Sequence, residues 1–144
     1  MKSEPESYGI ALLEKDKKTA WSGVRNFLAR NYMREMKIGD GILFYHSSCK
    51  VPGVYGLAKV ASAPYPDPTQ FDSKSRYFEP RATKDKPVWD LVDIAFVRAF
   101  KEPVTLQEIR ENPALRAMLI LQPGSRLSVT PVAPEHFEKI AYIR

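Results

Sequence analysis

The sequence predicts an α+β domain, a small, curved, mostly antiparallel sheet or barrel with short helices at its periphery. Three observations predict it. Strand-like segments follow one another with tight turns between them. The helical segments are short and do not alternate with the strands as regular crossovers, which argues against a doubly wound parallel sheet. A proline-rich stretch interrupts two strand-like regions but is too short to separate two domains. The 144 residues therefore read as one domain spanning 1–144, long enough to bury a core without staples.

The elements follow in chain order. Residues 24–36 form the best helical segment. Asn26, Arg30 and Arg34 recur at spacings of four along one side. Val24, Leu28, Ala29, Tyr32, Met33 and Met36 spread over the other side and are expected in the core. Ile38-Gly39-Asp40 is a turn, and Gly41–His46 is a near-continuous apolar run, as in a strand buried on both faces. Pro52-Gly53 turns the chain into a second strand over 54–60.

Residues 63–87 hold five prolines and should contain little regular strand. Within them Pro68–Phe71 suits a short helical turn capped by Asp67. A long third strand is expected over 89–100. Thr105 and Glu108 stand at capping-box spacing and open a helix. Residues 126–130 alternate polar and apolar, as in a half-exposed strand. Residues 134–142 close the chain as a helix with Pro134 in its first turn.

Composition narrows the functional classes. No apolar run approaches the roughly 18 residues of a membrane span, and the N-terminus lacks a signal-peptide core. Cys49 is the single cysteine, which suits a reducing, cytoplasmic setting. The net charge is +5 and the pI about 9.3. Between Lys15 and Lys37, seven basic residues face Asp16 and Glu35, so this segment carries the whole surplus. A local surplus attracts polyanions, although a solvated helix face has the same appearance.

Catalytic arrangements are poor. His46 and His136 are the two histidines and lie far apart in sequence. With one cysteine they do not supply the three or four ligands of a zinc site, so no metal and no cofactor are expected. A His46–Cys49 nucleophilic pair lacks an orienting third group. There is no P-loop and no dinucleotide fingerprint. What remains is a set of polar and aromatic residues at strand ends and turns: Lys2 and Ser3, Tyr45, His46 and Ser47, and Ser125 to Ser128. Each has a structural alternative, with Ser3 capping Glu4–Ser7 and Arg126 pairing with an acidic neighbour. The free N–H groups after Trp21-Ser22-Gly23 would suit an anion, Gly23 would let a ligand approach, and Trp21 would stack on a base or sit in the core. Hydroxyls, an imidazole and an aromatic face together can read an unstacked base.

Several short motifs occur in order: Lys2-Ser3-Glu4-Pro5, Trp21-Ser22-Gly23-Val24-Arg25-Asn26, Ala29-Arg30-Asn31, Lys37-Ile38-Gly39-Asp40, Phe44-Tyr45-His46-Ser47, Tyr65-Pro66-Asp67-Pro68 and Ser125-Arg126-Leu127-Ser128-Val129. Together they resemble the EVE domain over essentially the whole chain. The resemblance implies a PUA-like fold, a small mixed β-barrel with short peripheral helices. It also implies a nucleic-acid-binding module, RNA or DNA, holding an unstacked or flipped modified base. Carried over position by position, the base pocket would use Lys2, Ser3, Trp21, Ser22, Gly23, Val24, Asn26, Tyr45, His46, Ser47, Arg126, Leu127 and Ser128. Arg25, Arg30 and Arg34 would meet the phosphate backbone. Ser22 stands where the family usually has an aspartate, which exchanges a pure acceptor for a hydroxyl that also donates. The chain also opens at Met1, where the family usually shows an aromatic strand residue or two before the Lys-Ser-Glu-Pro motif.

The expected protein is thus a binding module, not an enzyme, with nucleic acid as partner and a monomer as its state. A small-molecule hydrolase on the same fold and a protein-interaction module are the alternatives.

Overall fold

In a computed structural model, which describes residues 1–123 and 126–143, the chain builds a curled five-stranded half-barrel. Ser125 of the last motif lies outside the described residues. The described strands are β1 (Lys2–Ser3), β2 (Lys18–Ala20), β3 (Gly41–His46), β4 (Gly53–Val60) and β7 (Asp93–Thr105), in the spatial order β1-β3-β4-β7-β2. β1 runs parallel to β3, and the other pairings are antiparallel, so the sheet is mixed. A separate two-stranded ribbon joins β5 (Tyr65–Pro66) to β6 (Asp90–Leu91). The helices are α1 (Pro5–Tyr8), α2 (Ile10–Asp16), α3 (Phe27–Arg34), α4 (Leu106–Glu111) and α5 (Pro134–Ala141).

The curl has a local cause. The register slips between Phe44 and Tyr45 on β3 and at two places on β4, and such irregularities bend a sheet. Gly56 sits at one of them. A Cβ there would lie 2.5 Å from the Arg98 carbonyl, so the close approach of β4 to β7 needs glycine.

β3 is buried on both faces, as its apolar run implies. Ile42 and Phe44 pack with Ile10, Leu13, Ala58, Val60 and Ile94, whereas Leu43 and Tyr45 pack with Leu57, Val104, Ile109 and Ile140. A third cluster joins Ala29 and Met33 of α3 to Val24 and Val129. The capping box of α4 forms as its spacing implies: Glu108 N–H donates to Thr105 Oγ1 at 3.0 Å, and Thr105 N–H to Glu108 Oε1 at 3.3 Å.

Four expectations need correction. The helix expected over 24–36 is Phe27–Arg34, because Asn26 is extended and caps it, leaving Val24 in the preceding segment. The long strand expected over 89–100 divides at Val92, and β7 then continues through Thr105. Residues 126–130 form no strand. Their link to the sheet is the hydrogen bond from Lys2 N–H to the Ser128 carbonyl at 2.8 Å, and one bond does not make a ladder. Ser3 does not cap α1, whose N-cap is Glu4 without a side-chain hydrogen bond.

Candidate functional site

α3 has three working faces, set by its 3.6-residue period. Ala29 and Met33 point into the core and are fully buried. Phe27, Arg30 and Arg34 face the chain around Trp89. Phe27 stacks on the Trp89 ring at 4.7 Å, Arg30 donates to the Val88 carbonyl at 2.8 Å, and Arg34 forms an ion pair with Asp90. Leu28 and Tyr32 share the third face. Leu28 was expected in the core but is 48% exposed. Asn26 does not join the arginine row: its Oδ1 accepts from the Ala29 N–H at 3.0 Å, a cap that stabilises a helix by about 1 kcal/mol.

The 21–26 segment is held from behind by a buried anchor. Asp67 is fully buried and caps the Pro68–Phe71 turn, as its position implies. Its carboxylate also accepts from Gly23 N–H at 2.8 Å and from Arg25 Nη1 at 3.1 Å. Burial works to raise the Asp67 carboxyl, but the hydrogen bonds from Thr69, Gly23 and Arg25 outweigh it and hold the group below the usual carboxylate range. Arg25 spends its remaining donors on Thr69 Oγ1 and on the Val24 and Tyr77 carbonyls. Its guanidinium is thus committed to the fold, not turned toward a phosphate backbone. Gly23 takes a φ of +89°, and a Cβ there would sit 2.7 Å from the Tyr77 ring. The expectation that Gly23 leaves room for a ligand is therefore replaced by close packing against Tyr77.

A second group gathers around β1. Tyr45 N–H donates to the Met1 carbonyl and Ser47 N–H to the Ser3 carbonyl, both at 2.9 Å. The Lys2 ammonium lies 5.8 Å from the Tyr45 ring centroid, and burial lowers its pKa. Lys2, Ser3, Tyr45, Ser47 and Ser128 are thus neighbours, as the motifs imply. His46 is buried for a different reason. Its Nε2 accepts from the Ile10 N–H at 3.1 Å and so closes the start of α2, while its ring stacks on Tyr55 at 4.0 Å. Burial lowers its pKa and favours the neutral ring. This commitment removes the acceptor that a His46–Cys49 pair would need. Trp21 is half-buried and packs edge-on against Phe44 and Tyr8. Ser22 is exposed, with its N–H donating to the Ala20 carbonyl at 3.0 Å. Among the described residues no group of three or more His, Cys, Asp or Glu side chains is arranged to hold a metal ion.

A cleft of ≈ 410 Å³ opens between α3 and residues 119–123 and 126–127. It brings Asn26, Arg126 and Leu127 together with Leu28, Tyr32, Leu119, Gln122 and Pro123. Half of this lining is apolar and half can hydrogen-bond, the mixture that suits a flat heteroaromatic ligand. Asn26 keeps its amide N–H₂ after capping, and the Arg126 guanidinium is exposed. Val24 and Val129 share a buried cluster against which the cleft residues Tyr32 and Leu127 pack.

A larger cleft of ≈ 470 Å³ shares Tyr32 and is lined by Met36, Ile42 and Phe137. Glu35, Asp40 and Glu138 rim it, so it repels a polyanion. Size therefore does not choose the site; the sign of the charge does. Sequence reasoning missed Leu119, Gln122 and Pro123 because the short 3₁₀ turns at Pro113–Leu115 and Leu119–Leu121 carry no long period. The i, i+4 spacing of Leu28 and Tyr32 was visible, but it reads equally as core.

The comparisons agree over nearly the whole chain. The family model for the EVE domain matches residues 1–143. Human thymocyte nuclear protein 1 is 39% identical over 96% of this chain and 69% of its own length. A solved structure from Pseudomonas putida is 44% identical, covers 97% of this chain and 94% of its own, and superposes with a TM-score of 0.94. A structure of the human THYN1 protein in complex with DNA containing 5-methylcytosine is 36% identical. It covers 99% of this chain and 94% of its own, with a TM-score of 0.92.

Proposed function

Because this chain belongs to the EVE domain family, with that family's PUA-like half-barrel, we propose that it is a binding module for nucleic acid that holds one unstacked, modified base in the cleft beside α3. The observation that carries this reading is the cleft itself: Asn26, Arg126 and Leu127, drawn from two distant motifs, meet there around apolar walls. The relative in complex with 5-methylcytosine DNA supports the same reading and makes that base the first ligand to try.

Each residue has a role in the proposal. Leu28, Leu119, Pro123 and Leu127 form the apolar walls that take the ring and its methyl group. The Asn26 amide, the Tyr32 hydroxyl and the Gln122 amide face the hydrogen-bonding edge. Arg126, at the rim, meets the phosphate of the held nucleotide. Lys2, Ser3, Tyr45, Ser47 and Ser128 secure β1 and the chain leading from the cleft. No step of this reading makes or breaks a covalent bond, and binding alone is its output.

The test is a binding titration of single-stranded oligonucleotides with and without 5-methylcytosine at two salt concentrations. Tighter binding of the methylated strand at both, with affinity falling steeply as salt rises, is expected. Failure to bind either strand at low salt overturns the proposal.

A further inference from the structure

The loop over 72–88 has properties that the cleft does not use. Phe78 is 41% exposed, and Lys74, Arg76, Lys84 and Lys86 surround it in sequence without an ion pair among the described residues. Its exposure is not slack. Glu79 N–H donates to the Gln70 carbonyl at 2.9 Å, and Glu79 Oε1 accepts from Trp89 Nε1 at 3.1 Å. Gln70 is fully buried and binds the backbone of Asp67, Val88 and Trp89 with both ends of its amide.

Alternating cations and rings continue from this loop to α3. Arg76 lies 5.0 Å from the Tyr77 ring, Arg25 lies 5.3 Å from Tyr77 and 5.5 Å from Trp89, and Arg30 lies 4.9 Å from Phe27. Tyr77, next to Phe78, packs on Gly23, three residues before Asn26 at the cleft. The loop is thus bolted to the wall of the cleft. A fixed aromatic face flanked in the sequence by exposed cations that form no ion pair among the described residues fits a single strand, whose bases offer flat faces and whose phosphates offer charge.

We propose that this loop is a second nucleic-acid contact, in which Phe78 stacks on a nucleotide flanking the one in the cleft and Lys74, Arg76, Lys84 and Lys86 meet the adjoining phosphates. It rests on the reading of the cleft as the base site.

The test compares 5-methyldeoxycytidine monophosphate with a short single strand carrying one central 5-methylcytosine. The wild-type protein should bind the strand more tightly than the mononucleotide. Phe78→Ala should weaken the strand about tenfold and leave the mononucleotide unchanged. A K74A/R76A/K84A/K86A variant should also lose strand affinity and show a shallower salt dependence. Phe78→Leu keeps apolar bulk without a stacking face and should behave like Phe78→Ala. Thermal melts of all variants should match wild type, since the altered side chains are all exposed. Undiminished strand binding by Phe78→Ala, or full rescue by Phe78→Leu, overturns the loop contact while the cleft reading stands. A wild-type protein that binds neither probe overturns both.

Discussion

Arg25 and Arg126 both stand in the ordered motifs and have opposite fates. Arg25 is drawn inward to Asp67, Thr69 and the Tyr77 carbonyl, with its side chain 21% exposed. Arg126 stays exposed at the rim of a cleft. The anchor around Arg25 holds the fold; the guanidinium of Arg126 is exposed at the rim, where the proposed base site would meet a phosphate. Two residues of the same charge, both in motifs, therefore do different work. What separates them is the buried carboxylate of Asp67, which lies 42 residues from Arg25 in sequence.

The largest effect should come from the anchor. Asp67→Ala leaves Arg25 and the Gly23 N–H without their buried acceptor, and should cost about 3 kcal/mol of stability. Chemical denaturation measures it, and a loss under about 1 kcal/mol would remove Asp67 from this role. Gly23→Ala comes next, at about 2 kcal/mol, from the positive φ and the clash with Tyr77. Combining it with Tyr77→Ala should relieve the clash but not the φ strain, so the double variant should be less than additive.

On the rim, Arg126→Ala should leave the unfolding curve within about 0.5 kcal/mol of wild type. It should weaken the methylated strand about tenfold, as loss of one charge-assisted contact implies. Its salt slope should also drop by about one. A variant that melts early instead would place Arg126 with Arg25.

Acid should separate the regions more gently. His46 has a lowered pKa in the fold, so its contribution is present above the ordinary value of 6.5 and is lost as the pH falls below it. Asp67 is lowered from 3.8, so its contribution persists until the pH falls below that value. Lowering the pH from 8 should thus cost stability through His46 before it does so through Asp67, and His46→Gln should reduce the loss just below pH 6.5.

Much of the fold was legible because its signals are local. The apolar run of β3, the capping box at Thr105 and Glu108, and the Asp67 cap each depend on a few adjacent residues. The site was legible only in part. The ordered motifs pointed to Asn26, Arg126 and Leu127, and the structure brings these together. They also pointed to His46 and Arg25, whose side chains are spent on the Ile10 N–H and on Asp67. No local pattern separates a polar residue that serves a ligand from one that satisfies a distant backbone group. Leu28 shows the converse: helical spacing assigned it to the core, but it is half-exposed on the wall of a cleft.

The most direct measurement fills that cleft. Leu28 faces it and is half-exposed, so Leu28→Trp should occupy the space without disturbing Ala29 or Met33 beneath. Titrated with methylated and unmethylated strands, this variant should keep salt-dependent binding and lose the preference for 5-methylcytosine. If the preference survives at wild-type strength in a folded Leu28→Trp protein, the base is held elsewhere.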